Sequence, residues 1–166
     1  MNHLAEAVDA LSRLEGETET DYQDEHARWH LYLQVLSTFD ASRRQLLYEA
    51  LSWEGNKALR LSVVLRILEL VPAPERDSWL GPLPDAESRT YAEQRMRDLE
   101  ILDQESAGQS SREPHLSVPN FSDWLQLRLA QESGNVQTLR QLAESGRTKR
   151  IRRLASERIR VLPLGT

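Results

Sequence analysis

Almost every periodic segment of this chain has apolar residues recurring at intervals of three and four, which commits the sequence to helices. Leu4, Val8, Leu11 and Leu14 form one stripe behind Asn2, whose side chain suits a helix cap, and Gly16 closes that element. A second helix is expected over residues 26–39, with Trp29, Leu33 and Leu36 inward and Leu31, Tyr32 and Val35 widening the face. Asp40 or Ser42 can cap a third, carrying Leu46, Leu47, Ala50, Leu51 and Trp53 and stopped by Gly55. Residues 57–71 differ in kind. They are apolar nearly all round, so this helix needs cover on several sides and is the expected centre of the core.

Prolines 72, 74, 82 and 84 bracket a corner in which residues 75–80 can make a helical turn or two, with Pro74 at its first position. A long polar helix follows over 85–106, with a narrow stripe of Ala92, Met96, Leu99 and Leu102. Residues 107–117 have the Ser, Gly and Pro content of a loop. Three more helices are expected over 120–132, 136–145 and 148–162, the last ended by Pro163. The predicted fold is all-α, a short α-solenoid or compact bundle of seven to eight helices. Its parts are a short helix with an acidic lead-in (1–25), a first helical unit (26–84), a connecting helix and loop (85–117) and a second unit with a basic last helix (118–166).

Composition narrows the function. With 166 residues the chain has enough length for a core without staples, and with no cysteine it has no disulfide framework, thiolate zinc site or cysteine nucleophile. No stretch approaches 18 apolar residues, and the first 20 lack a basic segment followed by an apolar run. The expectation is a cytoplasmic chain that meets no membrane, monomeric or homodimeric, with no cofactor. There is no Gly-rich phosphate loop, nucleophile elbow or Walker pattern. His26 and His30 stand four apart near Asp21 and Glu25, but two ligands do not make a metal site, and none is expected. Glu87, Tyr91 and Arg95, and likewise Asp98 and Asp103, read as solvated faces of the polar helix.

Charge is the sharper signal. Lys and Arg number 21 against 26 Asp and Glu, for a net charge of −5, yet the charge is segregated. Residues 1–32 carry eight acids and two bases, whereas residues 140–160 carry eight bases and two acids. On the last helix Ile151, Leu154, Ala155, Ile159 and Leu162 share one face, and Lys149, Arg150, Arg153 and Arg160 gather on the other. That outer face suits an acidic protein surface or peptide. Phosphates are the alternative, although no aromatic side chain is interleaved as a stacking platform. Arg158 points into the apolar face and is expected to hold a structural salt bridge. The acidic N-terminal stretch, with nearly equal and opposite charge, reads first as a solvated tail; the alternative is that it folds back over the basic helix and masks it. Trp79, in the proline corner, is expected to be exposed and so to be a partner contact.

Sliding the chain on itself by 91 residues aligns Leu51 with Leu142, Gly55 with Gly146 and Pro72 with Pro163. The segment LRQLAESGRTKRIRRLASERI, residues 139–159, resembles one unit of a HEAT- or armadillo-type helical repeat. The resemblance implies a small α-solenoid of a kind that mostly binds other macromolecules. Some HEAT-like proteins act as DNA glycosylases through Trp, Asp and Arg, of which Trp124 beside Asp123 is the local match here. The expected function is therefore a non-enzymatic protein–protein interaction module. A nucleic-acid-binding protein using the same arginines comes second, and a HEAT-like DNA-modifying enzyme third.

Overall fold

A computed structural model describes residues 2–17, 20–107 and 118–162, which are helical with no strand among them. The helices are α1 (His3–Glu15), α2 (Glu25–Ser37), α3 (Ala41–Trp53), α4 (Lys57–Leu70), the single turn α5 (Ala73–Arg76), α6 (Ala86–Ser106), α7 (Asp123–Glu132), α8 (Val136–Ser145) and α9 (Lys149–Val161). The chain divides into two compact units, Met1–Met96 and Arg97–Thr166, with α6 running through the boundary. The loop expected over 107–117 lies, beyond Ala107, outside the described residues, as do Pro163 and residues 18 and 19 of the acidic stretch.

Side-chain caps set most of these boundaries. Asn2, Asp24, Asp40, Asn56, Ser122, Asn135 and Thr148 each accept a backbone N–H from the first turn that follows. Gly16 closes α1 in the left-handed conformation, at φ 77°, where a Cβ is disfavoured.

In the first unit α3 packs most extensively on α1, and α2 lies against α1, α3 and α4. Val8 and Leu11 of α1, Leu31, Tyr32 and Val35 of α2, Leu47 and Leu51 of α3, and Val63, Val64, Ile67 and Leu68 of α4 are fully buried. Each such aliphatic side chain contributes about 1.5–3 kcal/mol of transfer free energy. The face of α2 expected to point inward is therefore the wrong one. Trp29, Leu33 and Leu36 are only half-buried, and the stripe read as secondary is the core stripe. Arg28 explains the rotation. It shares the register of Leu31, Tyr32 and Val35, and its guanidinium closes on Glu54 with Nε to Oε2 at 2.7 Å and Nη2 to Oε1 at 3.0 Å.

The helix α4, expected at the centre of the core, buries one face against α2 and residues Asp77–Leu80 and is not covered all round. Leu61 and Leu65 are half-buried and Leu70 is 53% exposed. The proline corner forms α5, with Pro72 at its cap, then a 3-10 turn over Asp77–Leu80. Trp79 in that turn is buried, against expectation. The rings of Phe39 and Tyr48, at centroid distances of 5.6 and 5.5 Å, make its receptacle.

In the second unit α8 and α9 are joined by three residues and form an extensively packed hairpin, with α7 against α9. Leu125, Leu129, Leu139, Leu142, Ile151 and Ala155 fill its core, closed by Val118 and Phe121. The entry to α7 departs from the expected start at residue 120. Val118–Asn120 forms a 3-10 turn, and Ser122, accepting from Leu125 N at 3.0 Å, caps a helix that begins at Asp123, three residues later than expected.

Candidate functional site

The basic segment resolves into two groups of side chains with different duties. Thr148 caps α9 by accepting the N–H of Ile151 at 3.2 Å, and Ile151 and Ala155 turn the helix's apolar face into the core. Three arginines then hold the unit together. Arg147 donates to the Asp123 carboxylate at 2.6 Å and to the Phe121 carbonyl at 3.0 Å, while its backbone N–H donates to the buried Gln126 side chain at 2.9 Å. Arg152 donates to the carbonyl of Gly146, across the turn between α8 and α9.

Arg158 is the third, and its partner is not the expected carboxylate. Its Nε donates to the backbone carbonyl of Ser133 at 3.3 Å, where α7 ends. A helix C-terminus carries unsatisfied carbonyls and partial negative charge, so it answers a guanidinium without a buried acid.

Lys149, Arg150, Arg153 and Arg160 are left on the outside, all exposed. Among the described residues Arg153 pairs with Glu157, at 3.6 Å, with both side chains more than half exposed, a pairing that contributes little in water. Lys149, Arg153 and Arg160 follow one line along the helix, spanning about 16 Å at 1.5 Å per residue. Lys149 and Arg150 also stand in the first turn, where no acidic residue offsets them. Cations at the positive end of a helix are placed against the macrodipole, each at a cost of about 0.3–1 kcal/mol. All four are exposed, so burial in the core does not account for them. Local rules broken without a structural return are expected where a surface has another task.

The remaining candidate residues do not converge on chemistry. Trp79 is 5% exposed and enclosed by Phe39 and Tyr48, so the exposure that made it a partner contact is absent. His26 and His30 are exposed, and no group of three or more metal-ligating side chains occurs among the described residues. Asp123 is tied to Arg147, and the Trp124 ring lies 5.7 Å from the Arg128 guanidinium. Two residues read as solvated are buried instead. Arg95 meets Glu69 at 3.1 Å, and Asp98 accepts from the Ser122 hydroxyl at 2.6 Å. The acidic N-terminal stretch is part of the first unit's frame. Its Glu15 accepts from Arg43 at 2.6 Å, and Val8 and Leu11 lie in the core.

Two features escaped the sequence reading. One is the buried network of Arg28, Tyr32 and Glu54, in which Glu54 also accepts the N–H of Asn56 at 2.9 Å. Its signal is an arginine in the register of a core stripe. The other is a shallow groove of about 270 Å³ between α2 and α4, lined by Leu33, Leu36, Ser37, Arg66, Glu69 and Leu70. Its signal is the second apolar stripe of α2. Among the described residues no helix is long and apolar enough to cross a membrane. No protein-family model, curated protein or solved structure matches the chain.

Proposed function

We propose that the chain is a non-enzymatic interaction module whose last helix docks an acidic protein segment. The observation that carries this reading is the division of labour among the basic residues. Arg147, Arg152 and Arg158 are consumed by the fold, while Lys149, Arg150, Arg153 and Arg160 are exposed on the outer face of the same helix. A helix bearing carboxylates at matching turns meets such a stripe with charge-assisted hydrogen bonds, and steering by its field speeds encounter. The α8–α9 hairpin that presents the stripe is also the part of the chain that resembles a HEAT or armadillo unit, and this accords with a docking role. Nucleic acid is the competing partner, and the face offers it no aromatic platform.

Fluorescence anisotropy of a labelled Glu-rich helical peptide and of a duplex DNA, each over a salt series, tests the proposal. The peptide is expected to bind at low salt, and Arg150→Glu with Arg153→Glu to weaken it by about tenfold or more. A steep salt slope for the duplex without peptide binding transfers the surface to nucleic acid. If neither probe binds at low salt, the outer face only solubilises the helix and the proposal is wrong.

A further inference from the structure

We infer that the groove between α2 and α4 is an interface between two copies of this chain. The helix α2 carries two apolar stripes. Leu31, Tyr32 and Val35 are spent in the core, while Leu33 and Leu36 remain half-buried at the groove, where Leu70 of α4 is 53% exposed. An apolar strip of this kind on a helix pair has the form of a seam awaiting another element.

The charges at its edge select the occupant. Arg66 is exposed and has no ion-pair partner among the described residues, and Glu69 stands one turn further along the same side of α4. Arg95 meets Glu69 at 3.1 Å and orients its carboxylate, whose side chain stays 21% exposed with capacity for another donor. The two residues are about 4.5 Å apart along the axis. A cation and an anion so spaced are self-complementary about a two-fold axis passing between them. With two copies of α4 crossing antiparallel, Arg66 of each meets Glu69 of the partner copy, so two ion pairs flank a centre made by the leucines of both. An interface of this isologous kind uses one patch twice and closes as a dimer. A foreign acidic partner would satisfy Arg66 and repel Glu69. A second copy satisfies both.

The test is sedimentation equilibrium on the full chain. Wild type is expected to dimerise reversibly below about 100 µM. Arg66→Glu alone and Glu69→Arg alone each place like charges across the axis, and each is expected to raise the dissociation constant by about tenfold or more. Mixing the two variants puts opposite charges back across the axis in both pairs, so a heterodimer forms where neither homodimer does. Leu70→Lys, at an exposed position, dissociates the dimer without touching Arg95, and it keeps the test decisive should Glu69→Arg lose its helical circular dichroism. Wild type that stays monomeric at about 100 µM overturns the inference, as does a dimer that Arg66→Glu and Leu70→Lys leave intact.

Discussion

Glu54 is about 1% exposed, and an acidic side chain is tolerable at such a depth only because donors surround it. Arg28 supplies two of them, the Tyr32 hydroxyl a third at 3.1 Å and the backbone of Asn56 a fourth. The arrangement acts on its members. The hydrogen bond to Glu54 raises the Arg28 pKa above its ordinary value, and burial, reinforced by the negative charge of Glu54, raises that of Tyr32. A tyrosine whose folded pKa exceeds its unfolded one contributes stability that is complete below the unfolded value near 10 and lost as pH rises beyond it, because only the unfolded chain then releases the proton. Wild type is therefore expected to lose stability above about pH 10 with a slope approaching 1.4 kcal/mol per pH unit from this group. Tyr32→Phe should flatten that limb, as measured by urea denaturation between pH 9 and 11. The network was not legible in advance because Arg28 and Glu54 are 26 residues apart, and only tertiary packing brings them together.

At the scale of helices the sequence carried much more. The caps at Asn2 and Asp40, the terminator at Gly16 and the extent of α8 follow from local chemistry, which depends on neighbours within a few residues. Which face of α2 turns inward does not. Two stripes at helical spacing compete there, and a distant carboxylate decides between them. The pairing of Gly55 with Gly146 shows the same limit. Both follow a helix end, but a Cβ at Gly55 meets nothing within 4 Å, whereas one at Gly146 falls 2.5 Å from the Leu142 carbonyl and 2.8 Å from the Ile151 methyl. Gly146→Ala is expected to cost about 1–3 kcal/mol through forced displacement of the α8–α9 turn. Gly55→Ala should change stability by less than about 0.5 kcal/mol. Parallel denaturation curves of the two variants measure the contrast. Equal effects would mean that the two turns are physically equivalent after all.

For the molecule as a whole, all-α architecture was readable from period alone, whereas no break in the helical pattern marks the exact boundary between the units, which falls within the uninterrupted helix α6. The charge of the basic helix was readable as a sum, but not which arginines the fold would consume, because Arg147 and Arg158 find partners 24 and 25 residues away. Each unit has its own core, so damage to one is expected to stay local. Hydrogen exchange of Gly146→Ala should show faster amide exchange across α8 and α9 while the buried amides of α2 and α4 keep wild-type protection. Uniform acceleration throughout the chain would instead show that the two units unfold as one. The cations in the first turn of α9 have a further consequence. They leave that helix less stable alone than occupied, since an anion seated beside Lys149 and Arg150 relieves repulsion that the free protein must carry. On the docking proposal, occupancy and folding are linked by mass action, and an acidic partner seated there would register as a gain in the stability of the last helix.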